Sequence, residues 1–141
     1  MNAVYRHEYV TFYKQTTRWR DNDVYGHINN VVYYSYFDSA VNRYLTQECG
    51  LDIASSAVVG FVVASACTYH SPLAYPVDLE VGIRVNRLGN KSVEYGIAVF
   101  EKGADKASAD GTFTHVFVDR QQGQSVEMPS QIRMGLKKIL V

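Results

Sequence analysis

The sequence predicts an α+β fold, an antiparallel sheet of about five strands wrapped around one long helix. Only one stretch, Val31 to Glu48, repeats apolar residues at helical spacing over several turns. Beyond Gly60 the pattern changes to alternating, β-branched segments separated by short turns. One long helix cannot cover both faces of a sheet, which excludes a doubly wound parallel arrangement. No repeat or Pro/Ser-rich linker interrupts the 141 residues, so residues 1–141 read as a single domain.

From Glu8 to Arg20, Val10, Phe12 and Trp19 are mixed with Tyr and Thr, a composition that favours a strand. Asp21 to His27 is a cluster of turn formers and reads as a loop. In the helix the apolar positions are Tyr33/Tyr34, Phe37, Ala40/Val41 and Tyr44/Leu45, with Asn29 or Asn30 as N-cap and Gly50 as the stop. Its aromatic residues either line a pocket or build the core or a subunit interface. Phe61 to Leu73 is the next strand, ended by the turn around Pro72 and Pro76. Val77 to Leu88 alternates cleanly, with Val77, Leu79, Val81, Ile83 and Val85 on one parity. After Gly89-Asn90 come Ser92 to Glu101, a turn at Gly103, and Lys106 to Arg120, which together form a meander. Pro129-Ser130 opens a short closing helix, Gln131 to Leu140.

Several functions are disfavoured by composition. Fourteen basic residues against fourteen acidic ones leave no field to gather nucleic-acid phosphates, and no basic patch replaces it. The longest apolar stretch, Ala57 to Ala66, is far shorter than the roughly twenty residues of a membrane span. The amino-terminal residues carry no basic segment followed by an apolar core, and two Cys do not make a disulfide framework, so a cytoplasmic protein with reduced thiols is expected. No metal site is expected from His7, His27, His70 and His115, which lack metal-ligand spacing. Cys67 and His70, three apart in a predicted strand, point to opposite faces and do not form a nucleophile pair. There is no Gly-x-Ser-x-Gly elbow and no phosphate-binding glycine loop.

The informative segment is Arg20-Asp21-Asn22-Asp23-Val24-Tyr25-Gly26-His27-Ile28-Asn29-Asn30, which places carboxylates, a Gly and a His just before the long helix. Backbone N–H groups at such an end carry partial positive charge and can polarise a carbonyl, while a carboxylate on the loop can reach the same point. A plainer reading is that Asp23 and Asn30 cap the helix and Gly26 turns the chain.

The run from Trp19 to Tyr34 resembles the signature of hot-dog-fold acyl-CoA thioesterases of the hydroxybenzoyl-CoA thioesterase type. Tyr69-His70-Ser71-Pro72-Leu73, Leu88-Gly89-Asn90-Lys91-Ser92 and Val118-Asp119-Arg120 extend the resemblance over most of the chain. It implies that Asp23, rather than Asp21, is nucleophile or general base on a thioester carbonyl, that the backbone N–H of Asn30 polarises that carbonyl, and that His27 is a supporting group. Asp21 is then a solvated loop carboxylate or a helper that raises the proton affinity of Asp23. One carboxylate and one donor are enough for a thioester, since the thiol leaves near pKa 8.5 as thiolate with little need of an acid.

The family's basic cluster for coenzyme A phosphates is reduced here to Lys91, with Arg87 and Ser92 beside it. The resemblance implies an acyl-CoA substrate, no cofactor beyond the CoA of that substrate, and a homodimer joined edge to edge, or a tetramer of two such dimers. Alternatives on the same fold are an acyl-carrier-protein thioesterase, a hydratase and a non-catalytic acyl-CoA-binding protein.

Overall fold

The computed structural model describes residues 2–141. Thr11–Thr16 (β1), Val58–Tyr69 (β2), Asp78–Leu88 (β3), Ser92–Glu101 (β4) and Ala109–Asp119 (β5) form a five-stranded sheet in the spatial order β1-β3-β4-β5-β2. Every neighbouring pair is antiparallel. Strands β3, β4 and β5 are the predicted meander, and β1 and β2 take the two edges. Val32–Glu48 (α1) lies between β1 and β2 in sequence and covers one face of the sheet, and Ser130–Lys137 (α2) closes the core beside it. The expected architecture is therefore the one observed.

Several boundaries differ from the expectation. β1 is shorter than Glu8 to Arg20, because 3-10 turns at Arg6–Glu8 and Trp19–Asp21 take its ends and the Thr17 hydroxyl donates to the Val77 carbonyl. β2 ends at Tyr69 because the N–H groups of His70 and Ser71 both turn to the Ser108 carbonyl. β5 starts at Ala109 because Lys106 and Ala107 are drawn towards Tyr5 and Val4. β1 pairs with β3 no further than Ile83, so the Val85 N–H is left to bond the Ile139 carbonyl and the Val85 carbonyl accepts from the Val141 N–H, and the chain beyond α2 runs along β3 rather than staying helical to Leu140. At the start of α1 neither Asn29 nor Asn30 is the N-cap, which falls on Val31. Asn29 acts two residues earlier, its side chain accepting from the Val31 N–H at 3.1 Å and its carbonyl from the Val32 N–H at 2.9 Å. Gly50 does stop the helix, with φ +71 just past Cys49.

The buried face of α1 is Tyr33, Tyr36, Phe37, Ala40, Val41, Tyr44 and Leu45, the i, i+3, i+4, i+7 series of an amphipathic helix. It meets Leu79, Val81, Ile83 and Val85 of β3 and Val93, Tyr95, Ile97 and Val99 of β4, all buried. Each such side chain contributes roughly 2 kcal/mol by leaving water, before chain entropy is subtracted. Tyr44 donates to the Gly135 carbonyl at 2.6 Å and so ties α1 to α2. A smaller cluster of Tyr9, Ala98, Phe100 and Ala107 lies apart from this core, with Phe12 against it.

His115 interrupts the core chemistry. It takes an inward position of β5 between Phe113 and Phe117, is 2% exposed, and has its Nδ1 3.2 Å from the Tyr95 hydroxyl. Burial pushes its imidazole down to about 4. The unfolded chain then binds a proton near pH 6.5 that the folded chain refuses, so stability is complete above about 6.5 and falls as pH drops towards 4. Urea unfolding of wild type is expected to lose about 3 kcal/mol from this residue between pH 7 and 4. His115→Gln, which cannot titrate, should show a correspondingly flatter pH dependence.

Candidate functional site

The loop before α1 is a small hairpin. Asn22 and Ile28 form a β-bridge, the Asp23 N–H donates to the His27 carbonyl at 2.9 Å, and the Gly26 N–H donates to the Asp23 carbonyl at 3.1 Å. Gly26 closes the turn at φ +87, a conformation that side-chain-bearing residues rarely adopt. The Asp23 carboxylate accepts from the Tyr25 N–H at 2.9 Å through one oxygen. Outward from this turn project Val24 and Tyr25, and Trp19 beside it is also exposed.

What fixes the loop is Asp21, and here the expectation is corrected. Asp21 is not a solvated carboxylate; it is 1% exposed. Its Oδ2 accepts from the Tyr36 hydroxyl at 2.7 Å and from the Arg18 N–H at 3.0 Å, and Arg18 Nη2 lies 3.1 Å from Oδ1. Burial works to raise its proton affinity, but the bonds from Tyr36 and Arg18 outweigh it and hold the carboxyl below its ordinary value. The Asp21 carbonyl also accepts from the Asn29 N–H at 2.9 Å. One residue thus binds the loop to the start of α1 by backbone and to its second turn by side chain.

From Ile28 to Val32 the amides are accounted for with one exception. Ile28 donates to Leu73, Asn29 to Asp21, Val31 to the Asn29 side chain and Val32 to the Asn29 carbonyl. Among the described residues the Asn30 N–H has no acceptor, and Asn30 is exposed. The Asn30 carbonyl is held from the sheet by the Tyr69 hydroxyl at 2.8 Å. A donor free at the start of a helix is suited to an anionic oxygen.

Asn30 and His27 line one depression of about 290 Å³, together with Tyr33, Tyr69 and His70. Asp23 lines a separate depression with Trp19, Arg20, Asn22 and Asn29. The structure thus places all three residues on one short segment while a single chain divides them between two surfaces. Of the helix aromatics, Tyr33, Phe37 and Tyr44 are core, and half-buried Tyr34 stacks on Phe113. Tyr33 alone of the four also faces the Asn30 depression.

Lys91, Arg87 and Ser92 are not brought to this place. They lie at the β3–β4 hairpin, where the Gly89 N–H donates to the Ser92 carbonyl and Arg133 to the Gly89 carbonyl. The register sets Tyr69 against Ala109, which is level with Val99, so the seven steps of β4 from Ser92 to Val99 separate this hairpin from the end of the sheet that carries Tyr69 and the start of α1. At about 3.3 Å per residue that is roughly 23 Å within one chain.

Sequence reasoning missed one pair. His70, just past β2, has Nε2 2.6 Å from Oδ1 of Asp110 at the start of β5. Forty residues and two strands separate the partners, and only the β2–β5 register, which sets Tyr69 against Ala109, brings them together. Among the described residues no group of three metal-ligating side chains is gathered, and no helix is long and apolar enough to cross a membrane.

A family model described as the thioesterase-like superfamily matches residues 17–136. None of the curated proteins compared matches the chain. Among solved structures the PA5185 protein of Pseudomonas aeruginosa is similar at 47% identity and a TM-score of 0.97, over 99% of this chain and 97% of that one. A 1,4-dihydroxy-2-naphthoyl-CoA thioesterase from Synechocystis shares the fold at 13% identity and a TM-score of 0.81, covering 91% and 96%. The BH1999 gentisyl-coenzyme A thioesterase does so at 20% and 0.80, covering 89% and 99%.

The anchoring of the loop by Asp21 is testable by itself. Asp21→Ala leaves the buried Tyr36 hydroxyl without its acceptor and should cost about 3 kcal/mol in urea unfolding, whereas Tyr36→Phe, which leaves the carboxylate its bonds from Arg18, should cost about 2 kcal/mol from the lost charge-assisted hydrogen bond.

Proposed function

The chain belongs to the thioesterase-like superfamily and is a thioester hydrolase of the hot-dog fold, and on that premise we propose that its substrate is an acyl-CoA, hydrolysed to free acid and CoA. The observation that carries the reading is the unpaired N–H of Asn30 at the start of α1. As the carbonyl carbon is attacked, charge develops on its oxygen, and a fixed donor with no competing partner stabilises that charge without reorganising. Asp23, one oxygen of which is held by its own turn, is the nucleophile or general base, and His27 is a supporting polar group at the Asn30 depression. The acyl-CoA class is favoured by the substrates named for the two CoA thioesterases that share the fold. An acyl carrier protein as the thiol carrier is the alternative. A cytoplasmic setting belongs to the proposal, and the free Cys49 and Cys67 fit it.

Asp23→Asn keeps the shape and removes the charge. Thiol release from a panel of short, long and aromatic acyl-CoA substrates should fall by 100-fold or more, and a loss under about tenfold, roughly 1.4 kcal/mol, would remove Asp23 from the mechanism.

The same reading includes a homodimer. The two sheet edges are not alike: β1 is six residues long, carries exposed Lys14 and ends in tight turns, whereas β2 has twelve residues and exposes Phe61, Val62 and Val63 at 53, 44 and 59%. An apolar, unpaired edge of that length calls for a partner. Antiparallel pairing of β2 with β2 of a second copy sets the start of one strand beside the end of the other. The second copy's β3–β4 hairpin, with Lys91, Arg87 and Ser92, then comes to the end of the sheet where Asn30 lies, as contacts for the CoA phosphates. Two such dimers would make a tetramer. Val63→Lys should convert the dimer to monomer in light scattering and lower thiol release, while an unchanged mass would exclude β2 as the interface.

A further inference from the structure

The thioesterase reading leaves one question of proton transfer open. If the Asp23 carboxylate attacks the acyl carbon, it cannot also take the proton from the water that finishes the reaction. The depression that holds the Asn30 N–H contains a second candidate. His70 lines it, and Asp110 Oδ1 lies 2.6 Å from His70 Nε2. The backbone of His70 is fixed by its N–H bond to the Ser108 carbonyl at 2.8 Å, and its neighbour Tyr69 holds the Asn30 carbonyl. A carboxylate on one ring nitrogen places the proton there and leaves the other nitrogen as acceptor. Among the described residues Nδ1 of His70 has no hydrogen-bond partner. The side chains of His70 and Asp110 are 18 and 28% exposed, sheltered but reachable by water.

We propose that His70, oriented by Asp110, is the base that takes a proton from the water attacking the acyl carbon. This rests on the thioesterase reading and assigns Asp23 the nucleophile's part, and it requires the acyl group to bridge the two depressions, which adjoin where Asn29 lines one and Asn30 the other. In the first step an oxygen of Asp23 bonds to the thioester carbon, the C–S bond breaks and the thiolate leaves, giving a mixed anhydride. In the second step the water oxygen bonds to that carbon and its proton passes to Nδ1 of His70. The bond from carbon to the Asp23 oxygen breaks, which restores the carboxylate. The imidazolium then gives its proton to the thiolate or to solvent, and the acid product ionises.

The test is thiol release by His70→Ala in stopped flow and at steady state, with His70→Gln in its place if circular dichroism shows that the Ala variant does not fold. Steady-state turnover should fall by about 100-fold or more, after a burst of close to one thiol per site as the acyl group stays on Asp23. Added imidazole should restore part of the turnover of the Ala variant, which a merely structural role for His70 would not allow. For the Gln variant, whose cavity is filled, the burst and the loss of turnover are the readout. Asp110→Asn, which keeps the imidazole, should lose roughly tenfold. Turnover of the His70 variant within threefold of wild type, a loss without a burst, or in the Ala variant a loss that imidazole does not restore, overturns the proposal. Asp110→Asn within threefold of wild type removes Asp110 from it. These outcomes leave the thioesterase reading standing as long as wild type releases thiol, whereas wild type inactive on acyl-CoA and acyl-carrier-protein thioesters alike overturns both.

Discussion

The hydrogen bond from the Tyr36 hydroxyl to the buried carboxylate of Asp21 decides where the loop before α1 sits. A carboxylate out of water is costly unless its oxygens are filled, and Asp21 fills them with Tyr36 and with the backbone and side chain of Arg18. That requirement draws the 3-10 turn at Trp19–Asp21 against the second turn of the helix. The hairpin that follows has little apolar burial of its own, since Val24 and Tyr25 point outward. Its position is inherited from Asp21 on one side and from the Ile28 bond to Leu73 and the Tyr75 bond to Asn22 on the other. Asp23, His27 and Asn30 are therefore set by residues that do no chemistry themselves.

The two edges of the sheet differ in what they leave uncovered. β1 is short and shielded by turns, and its Lys14 discourages a further strand. β2 pairs along its whole length with β5 on one side and presents apolar residues on the other. Those residues cannot be explained by the core of one chain, because the inner face of α1 is already satisfied by β3, β4 and β5. The balance of charge has a related meaning: with fourteen charges of each sign, attraction of the phosphate-bearing substrate proposed above would have to be local.

Much of this was legible from the residues. The helical period from Tyr33 to Leu45 and the alternation from Leu79 to Val85 reflect one-sided burial, which leaves its mark directly on the sequence. Boundaries were less legible, since Thr17, His70 and Ser71 leave their strands for hydrogen bonds to distant carbonyls that no local pattern encodes. Asp21 was misread for a similar reason: its partner Tyr36 looks like one more aromatic of the helix stripe, and nothing local says that its hydroxyl turns to a carboxylate. The free Asn30 N–H lay where the segment suggested, but the residue that caps the turn around it was Asn29. His70 and Asp110 were invisible as a pair because their contact depends on the β2–β5 register.

An unpaired N–H at a helix start carries a cost that bears on why it persists. The chain satisfies the amides on either side of Asn30, including one by the Asn29 side chain, so the means to satisfy a further donor was at hand. Exposure to water keeps the cost small in the free protein, and the cost rises only when something displaces that water. A ligand that covers the depression without offering an acceptor would strand the donor, whereas one that places a carbonyl oxygen there is rewarded, most of all when that oxygen becomes anionic. The Tyr69 hydroxyl strengthens this selection by holding the Asn30 carbonyl. That bond limits rotation of the Asn30–Val31 peptide and, through Asn30, restrains the direction of its N–H. On the proposed mechanism, discrimination for a reacting carbonyl therefore comes from backbone held between helix and sheet, and substitution of the Asn30 side chain would leave the donor itself in place.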